Sequence, residues 1–245
     1  MFLESPPPDE DRLKPDDAFH FSCHSELSCF NTCCRNKHLP LTPYDILRIK
    51  RNLGIHSDDF LARYVVYRSD PESGFPILSI KMLQENAVCP FVTPEGCAIY
   101  HDRPTACRLY PLGRSSGIDP EGGEPEEFYS LLHITRCDGL KESKAWTVSQ
   151  WVNDQGLLPY IDMNDKMLDI VFHPRRDPST PIVESQQQKV MVACYNLDMF
   201  REFVFETPFL KQFEVDGDTT QRVKTDDAAL LTLGFAFLKK ALYAC

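Results

Sequence analysis

Apolar residues recur at helical spacing in several stretches of the chain. Ile46, Leu47, Ile49 and Leu53 follow Leu41-Thr42-Pro43 and precede Gly54. This predicts a helix with Thr42 as N-cap, Pro43 at its first position and Gly54 as the left-handed residue that ends it. Ser57-Asp58-Asp59 is expected to cap a second helix that runs through Phe60, Leu61, Tyr64, Val65 and Tyr67. The period then shortens. Residues 75–82 read as a strand, residues 89–100 as a loop and strand turned at Pro94-Glu95-Gly96, and residues 128–136 as another strand. Between these, residues 103–107 predict one helical turn, residues 108–112 an extended run, and residues 117–127 an acidic Gly/Pro loop. Helical spacing returns at Trp146 with Thr147 as cap, after Pro159, over residues 185–206, and in a last helix capped by Thr225-Asp226-Asp227. Residues 173–183 are a proline-rich linker.

The elements imply an α+β fold: an irregular, metal-stabilised, Cys-rich body with short strands, followed by a mainly helical C-terminal half. Residues 1–18 read as a disordered acidic, proline-rich tail, residues 19–156 as the Cys-cluster domain, and residues 157–245 as the helical region. With 245 residues the chain buries a core without needing staples. A net charge of −10 with no basic patch argues against nucleic acid as a partner. The first residues lack the basic and apolar segments of a secretory signal, and no apolar run approaches the roughly 18 residues of a membrane span. A cytoplasmic protein with reduced thiols is therefore expected.

Cysteine changes the picture most. Eight of the ten thiols fall within the first 137 residues: Cys23, Cys29, Cys33, Cys34, Cys89, Cys97, Cys107 and Cys137. In a reducing compartment such a set points to a metal before disulfides. The spacing C-x5-C-x3-C-C, then C-x7-C-x9-C, matches neither zinc knuckles nor a ferredoxin run. Soft thiolates select zinc, iron–sulfur or Cu(I). Eight of them at irregular spacing suit a bulky iron–sulfur cluster, with [4Fe–4S] first and Zn2+ second, in one or two sites. Neighbouring side chains on extended backbone face opposite ways. Cys33 and Cys34 therefore bind one centre only in a tight turn; otherwise one of them serves a second site or is buried.

Three arginines are candidate cofactor-binding residues. Arg35, beside the paired thiols, would lower a thiolate pKa and balance charge. Arg103 and Arg108 flank a Pro-initiated turn that suits an anionic cluster or a carboxylate, the structural alternative being a salt bridge to Asp102 or Glu95. Among His24, His38, His101 and His133, His101 is best placed as an imidazole ligand. Cys194 sits on an apolar helix face and reads as core, Cys245 as a terminal thiol, and Phe200, Phe203, Phe205 and Phe209 as core rather than a cofactor box. The run Gly122-Gly123-Glu124-Pro125 spells a motif of radical-SAM enzymes, but Asn36 stands where their third cysteine is required.

The run Cys29-Phe30-Asn31-Thr32-Cys33-Cys34 resembles the CxxCxxCC, or YkgJ-like, cysteine-cluster family, described as zinc- or iron-chelating. So do Cys89-Pro90-Phe91-Val92, the block from Gly96-Cys97-Ala98-Ile99-Tyr100 through Arg103-Pro104 to Cys107-Arg108-Leu109-Tyr110-Pro111, and Cys137-Asp138-Gly139 followed by Trp146-Thr147-Val148. The first two gaps, five and three residues, are longer than the family name spells. The resemblance covers residues 21–152 and implies metal binding. Some relatives are described as flagellin lysine N-methylases and others as iron–sulfur oxidoreductases. It thus implies a redox role or modification of a protein substrate, against a metal chaperone or structural module without catalysis.

Overall fold

The computed structural model describes residues 11–84, 87–118, 125–132 and 137–243. The start of the tail, Gly122-Gly123-Glu124, His133, Arg136 and Cys245 lie outside the described residues. In chain order the elements are β1 (Ala18–His20), β2 (Pro40–Leu41), α1 (Pro43–Leu53), α2 (Ser57–Tyr64), β3 (Val65–Ser69), β4 (Pro76–Ile80), β5 (Val92–Thr93), β6 (Gly96–Cys97), α3 (Thr105–Leu109), β7 (Leu112–Ile118), β8 (Pro125–Leu131), β9 (Ala145–Thr147), α4 (Val148–Asp154), α5 (Leu158–Val171), α6 (Glu184–Val190), α7 (Leu197–Glu206), α8 (Phe209–Gln212), α9 (Gly217–Arg222) and α10 (Asp227–Tyr243). The fold is α+β, with short strands in two- and three-stranded sheets and a helical C-terminal half. No helix among the described residues is long and apolar enough to cross a membrane.

The chain parts into two compact units. One takes its described residues from 1–37, 83–100 and 105–158, the other from 38–82, 101–104 and 159–245. In the first, β1 pairs antiparallel with β9, Phe19 opposite Trp146. Phe19 and Phe21 meet the Trp151 ring edge-on at 6.1 and 5.4 Å, and Trp146 meets it at 5.2 Å. Both indole N–H groups are satisfied: Trp146 donates to the Phe21 carbonyl and Trp151 to that of Leu109, each at 2.9 Å. A buried tryptophan needs such a partner to avoid stranding a donor. The β7–β8 pair carries Arg114, whose Nε donates to Glu127 at 2.6 Å. Residues 11–18, expected in the disordered tail, are instead held. Leu13 donates its backbone N–H to Tyr129 at 2.7 Å, and the Arg12 guanidinium lies 4.0 Å over the Phe128 ring. Trp146 joins β9 rather than the helix. The helix starts after Thr147, which forms a reciprocal capping box with Gln150.

In the second unit β2, β4 and β3 form one antiparallel sheet. Helix α1 has the predicted ends: Thr42 accepts from Asp45 N–H, Asp45 answers the Thr42 N–H, and Gly54 is left-handed at φ 64°. Ser57 opens α2 as its first residue and not as its cap, because its hydroxyl is bonded to Asp198 at 2.8 Å. The predicted helix over residues 185–206 is interrupted. A π-helical turn at Met191–Tyr195 buries Cys194, only 1% exposed, and Asn196 restarts the chain as the cap of α7. Phe200 and Phe209 pack as core, Phe209 meeting Phe200, Phe213 and Phe237 at 5.9, 5.3 and 5.4 Å, whereas Phe203 is 41% exposed and Phe205 half-buried.

Lys50, its side chain 7% exposed, ties these helices together. It lies 2.9 Å from Asp198 and 3.7 Å from Asp227. Burial by itself would raise the Asp198 carboxyl. Lys50 and the Ser57 N–H and hydroxyl outweigh it and hold the group at about 2. A carboxyl depressed on folding contributes stability that is present above its unfolded pKa, about 4, and lost as pH falls through its folded value. Asp198→Ala is therefore expected to cost about 2 kcal/mol at neutral pH, Asp227 retaining part of the lysine's compensation. It should also flatten the acid limb of the stability curve between about pH 4 and pH 2. Denaturant titrations of both proteins across that range measure this; parallel acid limbs would contradict it.

Candidate metal centre

All eight cysteines of the N-terminal half belong to the first unit. The chain leaves β1 through Phe21, whose N–H bonds the Lys144 carbonyl at 2.9 Å, and Ser22, whose N–H bonds that of Gly139 at 3.1 Å. Gly139 permits this approach: a Cβ there would sit 2.6 Å from the Ser22 carbonyl oxygen and 2.9 Å from the Phe21 ring. The next turn is fastened to the same segment. Ser28 Oγ donates to Asp138 at 2.7 Å, and Asp138 N–H donates to Cys29 Sγ at 3.2 Å. Cys23 and Cys29 are thereby brought to the segment that carries Cys137.

Asn31 then takes a left-handed conformation at φ 63°, its side-chain amide donating to the Thr93 carbonyl at 2.9 Å. Thr32–Cys34 form a single 3-10 turn, the tight turn that was one alternative for the adjacent thiols. Past it the chain lies beside residues 87–89. Cys89 N–H bonds the Cys34 carbonyl at 2.8 Å, and Arg35 bridges antiparallel to Val88. Cys89 is buried and its sulfur accepts from the Phe91 N–H. The β5–β6 hairpin sets Cys97 opposite Val92. Cys107 lies within α3.

The thiols act on one another. Burial first, then Cys33, Cys137 and Cys29, push Cys23 up to about 11. A hydrogen bond between the Cys33 and Cys34 side chains holds Cys33 down to about 6, with Lys37 adding to the effect. The same bond, then burial, then Cys33, Cys89 and Cys107 push Cys34 up. Burial raises Cys89, with Cys97 and Cys33 adding. The Tyr110 hydroxyl is buried and faces the Cys137 thiol. Burial raises it, with Cys137 the foremost neighbour and Cys33 and Cys29 beyond. No disulfide joins the nine described cysteines. Among the described residues no three Cys, His, Asp or Glu side chains form a ready single-ion cage. The thiols are neighbours in a common region, and their donor chemistry, all sulfur with backbone N–H groups directed at two of them, fits zinc or an iron–sulfur cluster.

The imidazole and guanidinium candidates divide between the two units. His24 faces Glu142 at 3.6 Å and Glu26 at 3.9 Å. His38, His101 and Arg103 belong to the second unit, where Asp102 receives Arg48 at 2.5 Å and Asn52 at 2.9 Å. Arg108 is buried and donates to the Gln155 carbonyl at 2.5 Å, tying α3 to the end of α4. Arg35 is exposed, and the cation that lowers Cys33 is Lys37. Lys37 stands four residues after Cys33, a spacing that could have singled it out. Tyr110 had no such mark, since its partners come from distant parts of the chain.

Against this geometry, the model of the CxxCxxCC family, described as "Putative zinc- or iron-chelating domain", matches residues 22–133. The span takes in every cysteine of the set except Cys137. No curated protein and no solved structure matches the chain.

Thiolate content controls cysteine alkylation. In chelator-stripped, reduced protein at pH 7, Cys33 is expected to react with iodoacetamide roughly tenfold faster than Cys23, and buried Cys194 slowest of all. Peptide mass spectrometry over a time course reads the order; equal rates at Cys33 and Cys23 would contradict it.

Proposed function

We propose that the chain, whose residues 22–133 match the model of the CxxCxxCC family, is an iron–sulfur protein of one-electron chemistry, with Cys23, Cys29, Cys33, Cys34, Cys89, Cys97, Cys107 and Cys137 as its ligands. One observation carries this reading. A single unit collects eight thiols from three separated segments, and backbone N–H groups point at two of the sulfurs, Asp138 to Cys29 at 3.2 Å and Phe91 to Cys89. Such bonds stabilise thiolate over thiol and tune the potential of a cluster. Eight thiolates in one small region also repel one another strongly, and bound cations are what offset that repulsion. A cluster, when bound, supplies reversible one-electron transfer. The protein's own part is to hold the sulfurs and keep water away, which Phe91, Leu109 and the Trp151 ring, all buried, serve.

The test is metal and acid-labile sulfide analysis on protein purified without oxygen. Iron and sulfide in equal amounts are expected, with a broad absorbance around 400 nm that dithionite bleaches. Cys33→Ser and Cys107→Ser should each lose metal and lower the unfolding midpoint together, because metal binding here is also folding free energy. Stoichiometric zinc without sulfide would overturn the iron–sulfur assignment. Unchanged metal in both serine variants would overturn the ligand assignment itself.

A further inference from the structure

We propose that the open edge of β3, with the groove between it and α6, is a docking site for an extended segment of a partner protein. The segment adds to the sheet as an antiparallel strand and carries an acidic residue immediately before an apolar one. The site lies wholly in the second unit and stands apart from the thiols and from any metal.

The backbone of β3 is half used. The strand order β2-β4-β3 leaves β3 with a neighbour on one side only among the described residues. Its register sets Tyr67 opposite Leu78 of β4. Lys81 N–H bonds the Tyr64 carbonyl at 2.8 Å, and Asp70 N–H bonds that of Phe75 at 2.9 Å. Bonded and open pairs alternate along an antiparallel ladder. Val66 and Arg68 therefore bond to β4, while the N–H and C=O groups of Tyr67 and Ser69 point away from it. No described backbone group meets those four. Natural edges are blunted by charges, proline or a covering element. In β3 the side chains are β-branched, aromatic and hydroxyl, with no proline and a single charge, Arg68. Val66 and Tyr67 are 43% and 51% exposed.

The side chains say what the guest strand carries. Alternate residues of a strand face opposite sides. Tyr67 and Ser69 face α6: the Tyr67 hydroxyl donates to Gln187 Oε1 at 3.3 Å, and Gln187 Nε2 donates to Ser69 Oγ at 3.1 Å. Beside Tyr67 lies a groove of about 300 Å3 lined by Glu184, Gln187, Gln188, Met191 and Val192. Residues directly opposite one another on antiparallel strands project to the same face. The guest residue paired with Tyr67 thus sends its side chain into this groove, where Met191 and Val192 select an apolar one. The guest residue before it stands opposite Arg68, on the other face. Arg68 is exposed and forms no ion pair among the described residues. Asp70, two residues on, is already taken by the Glu72 and Ser73 N–H groups. In a chain of 36 acidic and 26 basic residues, this strand presents one cation and no anion. Charge complementarity therefore places a carboxylate opposite Arg68. A second copy of β3 does not supply it: pairing centred on Tyr67 sets Arg68 opposite Val66, and pairing centred on Arg68 sets two arginines together.

The test titrates the nitrogen-15-labelled full chain with the peptide acetyl-Thr-Thr-Glu-Leu-Thr-Thr-amide. The amide resonances of Tyr67 and Ser69 are expected to shift, and their hydrogen exchange to slow about tenfold at saturation. The amides of Val66 and Arg68, already bonded to β4, should change little in exchange. Methylating the Leu amide nitrogen of the peptide removes its bond to the Tyr67 carbonyl and should weaken binding roughly tenfold. Lys in place of Glu in the peptide should weaken it about fivefold, and Arg68→Glu should reverse that preference. The peptide controls need no change in the protein, so they decide the question even where the variant fails to fold. Absence of shifts at Tyr67 and Ser69 in millimolar peptide overturns the proposal, as does binding that is indifferent to methylation. Equal binding of the Glu and Lys peptides overturns the acidic assignment. A free protein that sediments as a dimer with its Tyr67 amide already protected assigns the edge to a second copy and overturns the partner segment.

Discussion

A hydrogen bond from the Trp146 indole to the Phe21 carbonyl joins residues 125 apart in sequence, and the first unit depends on that closure. The β1–β9 pair and the edge-on rings of Phe19, Phe21, Trp146 and Trp151 are its immediate surroundings. Closing so long a loop costs little more than closing one half its length, since the entropy grows only with the logarithm of chain length. Burying each of these rings returns about 1.5–3 kcal/mol. The consequence for chemistry is direct. Phe21 is two residues before Cys23, and the chain that follows it lies against Gly139, two residues after Cys137. Packing of apolar rings thus determines which thiols are neighbours.

The two units solve the problem of buried charge in opposite ways. The second pairs it within the chain: Lys50 is met by Asp198 and Asp227, and the Ser57 hydroxyl and N–H complete the coordination of Asp198. The first gathers groups of one kind. Its thiols raise one another, as at Cys23 and Cys34, and the hydrogen bond between Cys33 and Cys34 lets one sulfur ionise at the other's expense.

Much of the local structure was legible in the chain. Thr42, Pro43 and Gly54 mark both ends of α1, and Thr147 marks the start of α4, because capping uses side chains within three residues of the backbone groups they satisfy. Where a distant partner competes, the local reading slips. Ser57 is drawn to Asp198 and loses its capping role, and residues 11–18 are held by Tyr129 and Phe128. The break at Asn196 is of the same kind. The apolar period continues through it, and only the wider π-turn over Met191–Tyr195 accommodates the burial of Cys194 and its neighbours.

By itself the sequence supplied the donors on offer, eight thiols in the N-terminal half, and a stretch, residues 22–133, that matches the CxxCxxCC model. It did so because donor type is a property of the residue and survives any fold. The tertiary structure alone decided which thiols are neighbours, that Lys37 and Tyr110 stand with them, and that residues 38–82 and 101–104 belong with the helical half and not with the cysteines that bracket them. Those are matters of proximity between segments up to more than a hundred residues apart. They are fixed by ring packing, a glycine-width approach and a 3-10 turn, none of which the spacing of cysteines along the chain encodes.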